Sequence, residues 1–312
     1  MTTTTASGAQ GTALTGGPAP VETAREHYST GAVTAKDGTS IRYRRLGQGP
    51  GVVLLHGSME SAQSHMSLAQ ALADAFTVYL PERRGHNLPG PFRKDYRMQQ
   101  EVDDLNALLG ETGTHNVFGV SAGGIIGLQA ALTLPAVRKA AIYEPALIVN
   151  RSVSMAFLPR YNREITGGKV SAALVTAMQG ARLGPAVFNL IPRPLLEFLT
   201  SSAMKSEAKT AKPGDVTMRM LAPTLHYDFE LVAQMAETLA TFKAVPAEVL
   251  LLGGGKSPAW LKGALDALMT VLPHAQRVEF PELDHGGSSD PGATNRGGRP
   301  TVVAQALRRF FA

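Results

Sequence analysis

The sequence predicts an α/β fold: a mostly parallel, doubly wound sheet with an inserted helical lid. Three observations predict it. Short apolar runs alternate with amphipathic segments of helical period, the pattern of repeated βαβ units. The runs are apolar at consecutive positions, as strands buried on both faces are. One long interval, between Pro145 and Val245, carries helical signals and no strand signal. Insertions of that length serve as functional lids.

The elements follow in order. Residues 32–36 and 40–45 flank Asp37-Gly38-Thr39. Asp-Gly signals a hairpin because both residues tolerate positive φ, so the first sheet edge is antiparallel. Gly51-Val52-Val53-Leu54-Leu55 reads as a buried strand. Residues 61–75 read as a helix with Ser61 as N-cap and Leu68, Ala71, Leu72 and Ala75 on one face. Residues 76–80 form the next strand, and 96–109 a helix capped by Asp95. Strands at 115–119, 137–143, 249–252 and 276–280 alternate with helices at 122–132, 258–272 and 300–311. Within the insertion, helical stretches fall near 151–165, 169–179, 185–189, 193–204, 215–221 and 227–242.

Composition narrows the chemistry. The chain has 312 residues, 44% of them hydrophobic and 18% charged, so it can bury a sizeable core. It has no cysteine, which excludes disulfides, thiolate metal sites and a cysteine nucleophile. A nucleophile must come from Ser, Thr, Asp, Glu, Lys, His or Tyr. The net charge of +5 comes from scattered pairs such as Arg83-Arg84 and Arg308-Arg309, with no basic run interleaved with aromatics. Nucleic-acid binding is not expected. The first residues are mostly Thr, Ala, Gly, Ser and Pro, which reads as a disordered tail and not a secretory signal. No run is apolar and long enough to span a membrane. The expectation is a cytoplasmic protein, a monomer or homodimer. Its expected divisions are a tail at 1–25, a core at 26–145, a helical lid at 146–245, and a second core part at 246–312.

The sharpest motif is Gly119-Val120-Ser121-Ala122-Gly123, between a strand and a helix. This is G-x-S-x-G in a strand–turn–helix context, a nucleophile elbow. Small residues two before and two after the serine let strand and helix approach. The hydroxyl then projects at a helix N-terminus, where free N–H groups and the dipole favour developing negative charge. A phosphate loop would need a Walker lysine or G-x-G-x-x-G, and neither is present.

With this elbow the chain resembles the α/β-hydrolase fold superfamily from about Gly31 to its C-terminus. A second motif carries the resemblance: Leu54-Leu55-His56-Gly57-Ser58-Met59. The resemblance implies that this turn supplies one oxyanion-hole N–H, from Ser58, with Met59 as the alternative. Ala122 would supply the second, and His56 would brace the loop. A third mark is Pro81-Glu82-Arg83-Arg84-Gly85-His86-Asn87, similar to the family's Asp-x-Arg-Gly-x-Gly loop. It departs in Glu82 and in His86-Asn87. Arg84 is expected to be structural and His86 a solvated loop residue.

The general base is expected after the last core strand, at Phe280-Pro281-Glu282-Leu283-Asp284-His285-Gly286-Gly287. A histidine on such a loop can reach over the sheet edge to the serine, and its ordinary pKa suits proton transfer near neutrality. The acid is less regular. Most family members carry Asp after the strand that follows the lid. Here Leu252 is followed by Gly253-Gly254-Gly255-Lys256-Ser257-Pro258, without a carboxylate. One strand earlier stands Glu144-Pro145. Some members place the acid there, and the chain order Ser121, Glu144, His285 matches Ser…Asp/Glu…His. Asp284 is a poor substitute because it adjoins the histidine, and Asp266 falls on a helix outside the sheet.

The insertion's Met, Phe and Leu residues serve mainly as lid core, with some facing the space above Ser121. The resemblance thus implies a serine hydrolase, a carboxylic ester hydrolase in class EC 3.1, with no metal and no cofactor. The substrate is expected to be a small molecule, mainly apolar. The fold leaves lactone, thioester or carbon–carbon bond hydrolysis open, and a non-catalytic ligand-binding homologue as well. Epoxide hydrolases and dehalogenases use Asp where this chain has Ser121.

Overall fold

The computed structural model describes residues 28–86, 95–184, 188, 190–292 and 295–312, together with Met1. Nearly all of the expected tail and helix 185–189, and also Asn87, lie outside the described residues.

The strands are β1 Ser29–Thr34, β2 Ser40–Leu46, β3 Gly51–Leu55, β4 Thr77–Pro81, β5 Asn116–Val120, β6 Lys139–Tyr143, β7 Glu248–Gly254 and β8 Ala275–Phe280. They form one 8-stranded sheet in the order β1-β2-β4-β3-β5-β6-β7-β8. β1 and β2 pair antiparallel around the Asp37-Gly38 turn, and β2 pairs antiparallel with β4. Every other pairing is parallel.

The twofold side-chain period of a strand divides the core. Val52, Leu54, Phe118, Val120, Leu250 and Leu252 pack on one face. That face is covered by α1 Met66–Leu72 and α10 Pro300–Phe311, through Leu68, Leu72, Val303 and Leu307. Val53, Leu55, Val117, Ile142, Val249 and Leu251 point the other way. There α2 Met98–Thr112, α3 Ala122–Thr133 and α9 Ala259–Val271 cover them through Val102, Leu105, Ile125, Ile126 and Leu265. Burial on both faces explains why these strands, past their first residues, hold only apolar residues and glycine.

Between β6 and β7 lie α4 Leu158–Thr166, α5 Val170–Gly180, α6 Arg193–Thr210, α7 Met218–Leu221 and α8 Leu225–Gln234. Tyr161, Ile165, Ala173, Ala177, Leu225 and Phe229 give this segment its own small core. Its two ends are tied together: Glu237 N–H donates to the Ile148 carbonyl (3.1 Å), and Arg151 N–H to Glu237 Oε1 (2.8 Å). The helix expected over 227–242 breaks there, because Glu237 adopts φ of 59° and spends its N–H on this tie. Among the described residues no helix is long and apolar enough to cross a membrane.

Two other boundaries moved for local reasons. The helix expected over 61–75 begins as a 3₁₀ turn, Ala62–His65, before α1. Ser61 caps it as expected, and Ser64 Oγ takes the Ser61 N–H in return (3.1 Å). The expected Asp95 cap is replaced by Arg97, whose N–H is taken by Gln100 Oε1 (3.0 Å).

Candidate active site

The serine of the G-x-S-x-G motif lies between β5 and α3. Ser121 has φ of 54° and ψ of −116°, a conformation that side chains other than Gly rarely adopt. Its surroundings hold it there. Its N–H donates to the Tyr143 carbonyl (3.0 Å), and its own carbonyl accepts from Ile125 (3.2 Å) and Ala146 (3.1 Å). The turn also needs its glycines. A Cβ on Gly119 would fall 2.3 Å from the Gly123 carbonyl oxygen, and one on Gly123 2.3 Å from that of Leu55. Ala122 opens α3 fully buried, and its N–H is one of those a helix start leaves without an intrahelical partner.

Glu144 and His285 are brought together across the ends of β6, β7 and β8. His285 Nδ1 lies 2.8 Å from Glu144 Oε2. Glu144 is fully buried, also at positive φ (43°), and its other oxygen accepts the Gly254 N–H at 2.6 Å. The glycines after Leu252 have a physical role here. A Cβ on Gly253 would stand 3.2 Å from Glu144 Oε1 and 2.5 Å from Leu265 Cδ1, so the carboxylate of one strand occupies the end of the next. The His285 loop is anchored from below by the Tyr143 hydroxyl, which donates to the Asp284 carbonyl (2.7 Å). Burial, with the charges of Glu144 and Asp284, pushes the Tyr143 pKa well up, so it stays a neutral donor. The Asp284 carboxylate turns back to its own loop at Gly286 N–H (3.0 Å). Asp266 is exposed on α9 and pairs with Arg277.

Ser58, Met59, Ser121 and His285 all line one cavity of about 360 Å³. Its remaining wall is apolar, with Ile148, Val153, Phe157, Ala177, Phe229 and Trp260 among the contributors. Volume and lining are those of a small-molecule site. A larger cavity of about 1070 Å³, of mixed lining, shares Ser58, Met59 and His285 with it and is also lined by Glu60, Arg182 and Asp290.

His56 braces its loop as the sequence suggests. Its Nδ1 lies 3.0 Å from the Gly57 carbonyl, and its Nε2 accepts the Arg83 N–H at 3.2 Å. Burial first, then the neighbouring His86 ring and Arg83 guanidinium, push its pKa well down, so it stays neutral. Arg84 is structural, bound to Asp104 and Asp37. His86 is the residue that differs from expectation. It is not solvated: its buried ring stands 4.6 Å from that of His56, and its Nε2 lies 3.5 Å from Asp228 Oδ1. Asp228 belongs to α8 and also binds Arg83 (2.9 Å), which Glu101 holds from α2 (3.2 Å). Sequence reasoning missed Asp228 and Glu101, and no local signal marks either. It also missed Glu60, whose signal was its place three residues after Gly57.

A model of the alpha/beta hydrolase family matches residues 52–296. The chain is 27% identical over 276 residues to a pimeloyl-[acyl-carrier protein] methyl ester esterase of Stenotrophomonas maltophilia (strain K279a), covering 85% of this chain and 94% of that protein. A shorter match, 35% identical over 103 residues, is to the uncharacterized hydrolase YraK of Bacillus subtilis (strain 168); it covers 31% of this chain and 38% of that protein. The crystal structure of an alpha/beta hydrolase from Sphaerobacter thermophilus DSM 20745 superposes with a TM-score of 0.70 at 27% identity, covering 90% of this chain and all of that one. Fold, elbow and family match agree, and the chain belongs to the alpha/beta hydrolase family.

Proposed function

We propose that this hydrolase cleaves a carboxylic ester, or a related acyl bond, of a small and mainly apolar substrate through a serine acyl-enzyme. The observation that carries the reading is the 2.8 Å contact between Glu144 Oε2 and His285 Nδ1, at a cavity that Ser121 also lines. A buried carboxylate at Nδ1 selects the tautomer whose Nε2 lone pair is free to accept a proton.

Ser121 Oγ attacks the carbonyl carbon while His285 Nε2 takes the hydroxyl proton. Glu144 stabilises the imidazolium that results. The Ala122 N–H and the Ser58 N–H, with Met59 as the alternative, receive the negative charge on the carbonyl oxygen. Collapse expels the alcohol with the proton from His285 and leaves Ser121 acylated. Water, activated by the same imidazole, then releases the acid. The helices α4 to α8 act as a lid that supplies the apolar wall and keeps bulk water from the intermediate. The apolar lining supports an uncharged acyl group, and the methyl ester esterase among the relatives supports an ester.

The test is turnover of a short p-nitrophenyl ester by the wild type and by Ser121→Ala. The reading expects hydrolysis by the wild type and loss of at least about a thousandfold in the variant. A variant that keeps the wild-type rate overturns it.

A further inference from the structure

Glu60 is not part of the chemistry above, yet it sits where two parts of the site must be kept in register. It follows the His56-Gly57-Ser58-Met59 turn, and its carboxylate folds back onto that turn: Oε2 accepts the Gly57 N–H at 2.6 Å. The same oxygen lies 3.1 Å from His65 Nε2. Oε1 accepts the hydroxyl of Ser289, which lies on the loop that carries His285.

The loop is clamped to the same segment at a second point. Asp290 N–H donates to the Ser64 carbonyl (2.8 Å), and the Asp290 carboxylate accepts the Ser67 N–H (3.0 Å). The turn is strained between these anchors. Met59 has φ of 57°, a conformation that a residue with a side chain keeps only where its surroundings impose it. It is also tight. A Cβ on Gly57 would stand 3.0 Å from Glu60 Oε2 and 3.1 Å from Ser121 Cβ, so the Gly57 backbone is held between that carboxylate and the serine. The carboxylate is suited to be a fixed anchor. Burial works to raise its pKa, but the His65 charge, the His65 and Ser289 hydrogen bonds and the Gly57 N–H outweigh that and hold it at about 2.

We infer that Glu60 is a positioning residue of the reaction: one carboxylate fixes the turn that presents the Ser58 and Met59 N–H groups and, through Ser289, the loop that presents His285. The inference rests on the serine-hydrolase reading above. Without Glu60 the two loops lose their shared anchor. The donors then drift from where the oxyanion develops, while the apolar cavity that binds the substrate keeps its walls. The cost therefore falls on the transition state and not on ground-state binding.

The experiment compares the full-length wild type with Glu60→Gln, Glu60→Asp and Ser289→Ala, with the melting temperature recorded for each. Readouts are kcat and KM for a p-nitrophenyl ester and the Ki of an alkyl boronic acid, which forms a tetrahedral adduct with a nucleophilic serine. For Glu60→Gln the expectation is a kcat lower by about 10- to 100-fold with KM within about twofold. Ki should rise by the factor by which kcat/KM falls. Glu60→Asp should recover part of the loss. Ser289→Ala, which leaves the Gly57 bond intact, should lose about three- to tenfold in kcat, and it decides the matter if Glu60→Gln does not fold. A folded Glu60→Gln with wild-type kcat and Ki overturns the inference, as does a lower melting temperature with unchanged kcat. A wild type with neither ester turnover nor boronate binding instead overturns the underlying reading, and this inference with it.

Discussion

Replacing Glu144 by Gln is the perturbation that isolates the acid of the proposed triad. The side chain keeps its size inside a fully buried site, so the packing against Gly253 survives. The consequence follows from its two contacts. Gly254 N–H is a fixed backbone donor 2.6 Å from Oε1 and can only be met by the amide oxygen. That leaves the amide NH₂ facing His285 Nδ1, where the carboxylate oxygen stood at 2.8 Å. Nδ1 must then accept, the ring proton moves to Nε2, and the nitrogen that faces the serine can no longer take its proton. A forced wrong tautomer of this kind lowers kcat by about 10⁴, or roughly 5 kcal/mol of barrier. KM should stay within a few-fold, because the apolar cavity is untouched. The assay is steady-state hydrolysis of a p-nitrophenyl ester, with circular dichroism to verify the fold. A folded Glu144→Gln enzyme within tenfold of the wild-type kcat would refute the reasoning.

Other perturbations probe the scaffold. Gly123→Ala places a Cβ 2.3 Å from the Leu55 carbonyl oxygen, a backbone atom that cannot step aside. It should cost about 2 kcal/mol and lower the melting temperature by roughly 3 °C; an unchanged melting curve would show that the elbow tolerates a side chain. Ala177 is a buried part of the cavity wall, and Ala177→Phe should reduce kcat/KM for an octanoate ester at least about tenfold more than for an acetate ester. Equal losses would mean that the acyl chain binds elsewhere. Acid should destabilise the fold through Glu60 and Asp228. Burial raises the Asp228 pKa, but Arg83 and His86 overcome it and hold it at about 2, as His65 and its partners do for Glu60. Both folded values lie below the ordinary ones. The stabilisation is therefore complete above about pH 4.5 and lost as pH falls towards 2. Melting temperatures between pH 6 and 2.5 should drop accordingly, less steeply in Asp228→Asn; parallel curves for variant and wild type would contradict the assignment.

The legible parts of the molecule were those set by short-range physics. Strand β3 is a five-residue apolar run because it is buried on both faces, and α10 begins at Pro300 because proline fits a helix start. The elbow could be read because its steric demand falls on Gly119 and Gly123, within the motif itself. Glu144 stood out through the family resemblance: the usual acid position, at Gly253-Gly254-Gly255, offers no carboxylate, and the alternative strand end does. What the glycines signified was not legible: they leave space for a carboxylate 110 residues earlier in the chain. His86 was misjudged for the same reason. Its environment is set by Asp228 in the insertion, and nothing near residue 86 announces a partner so distant in sequence. Glu237, which ends α8 early, also answers to the far side of the insertion and not to its own helical pattern.

In the proposed mechanism Ser121 is the nucleophile, activated by His285 and Glu144. Incubation with a fluorophosphonate, followed by intact-mass and peptide mass spectrometry, tests it most directly. One adduct per chain is expected, located on Ser121, absent in Ser121→Ala and formed far more slowly in Glu144→Gln, with ester turnover falling in step with labelling. A folded, ester-hydrolysing protein that is not labelled, or is labelled at another residue, would contradict it.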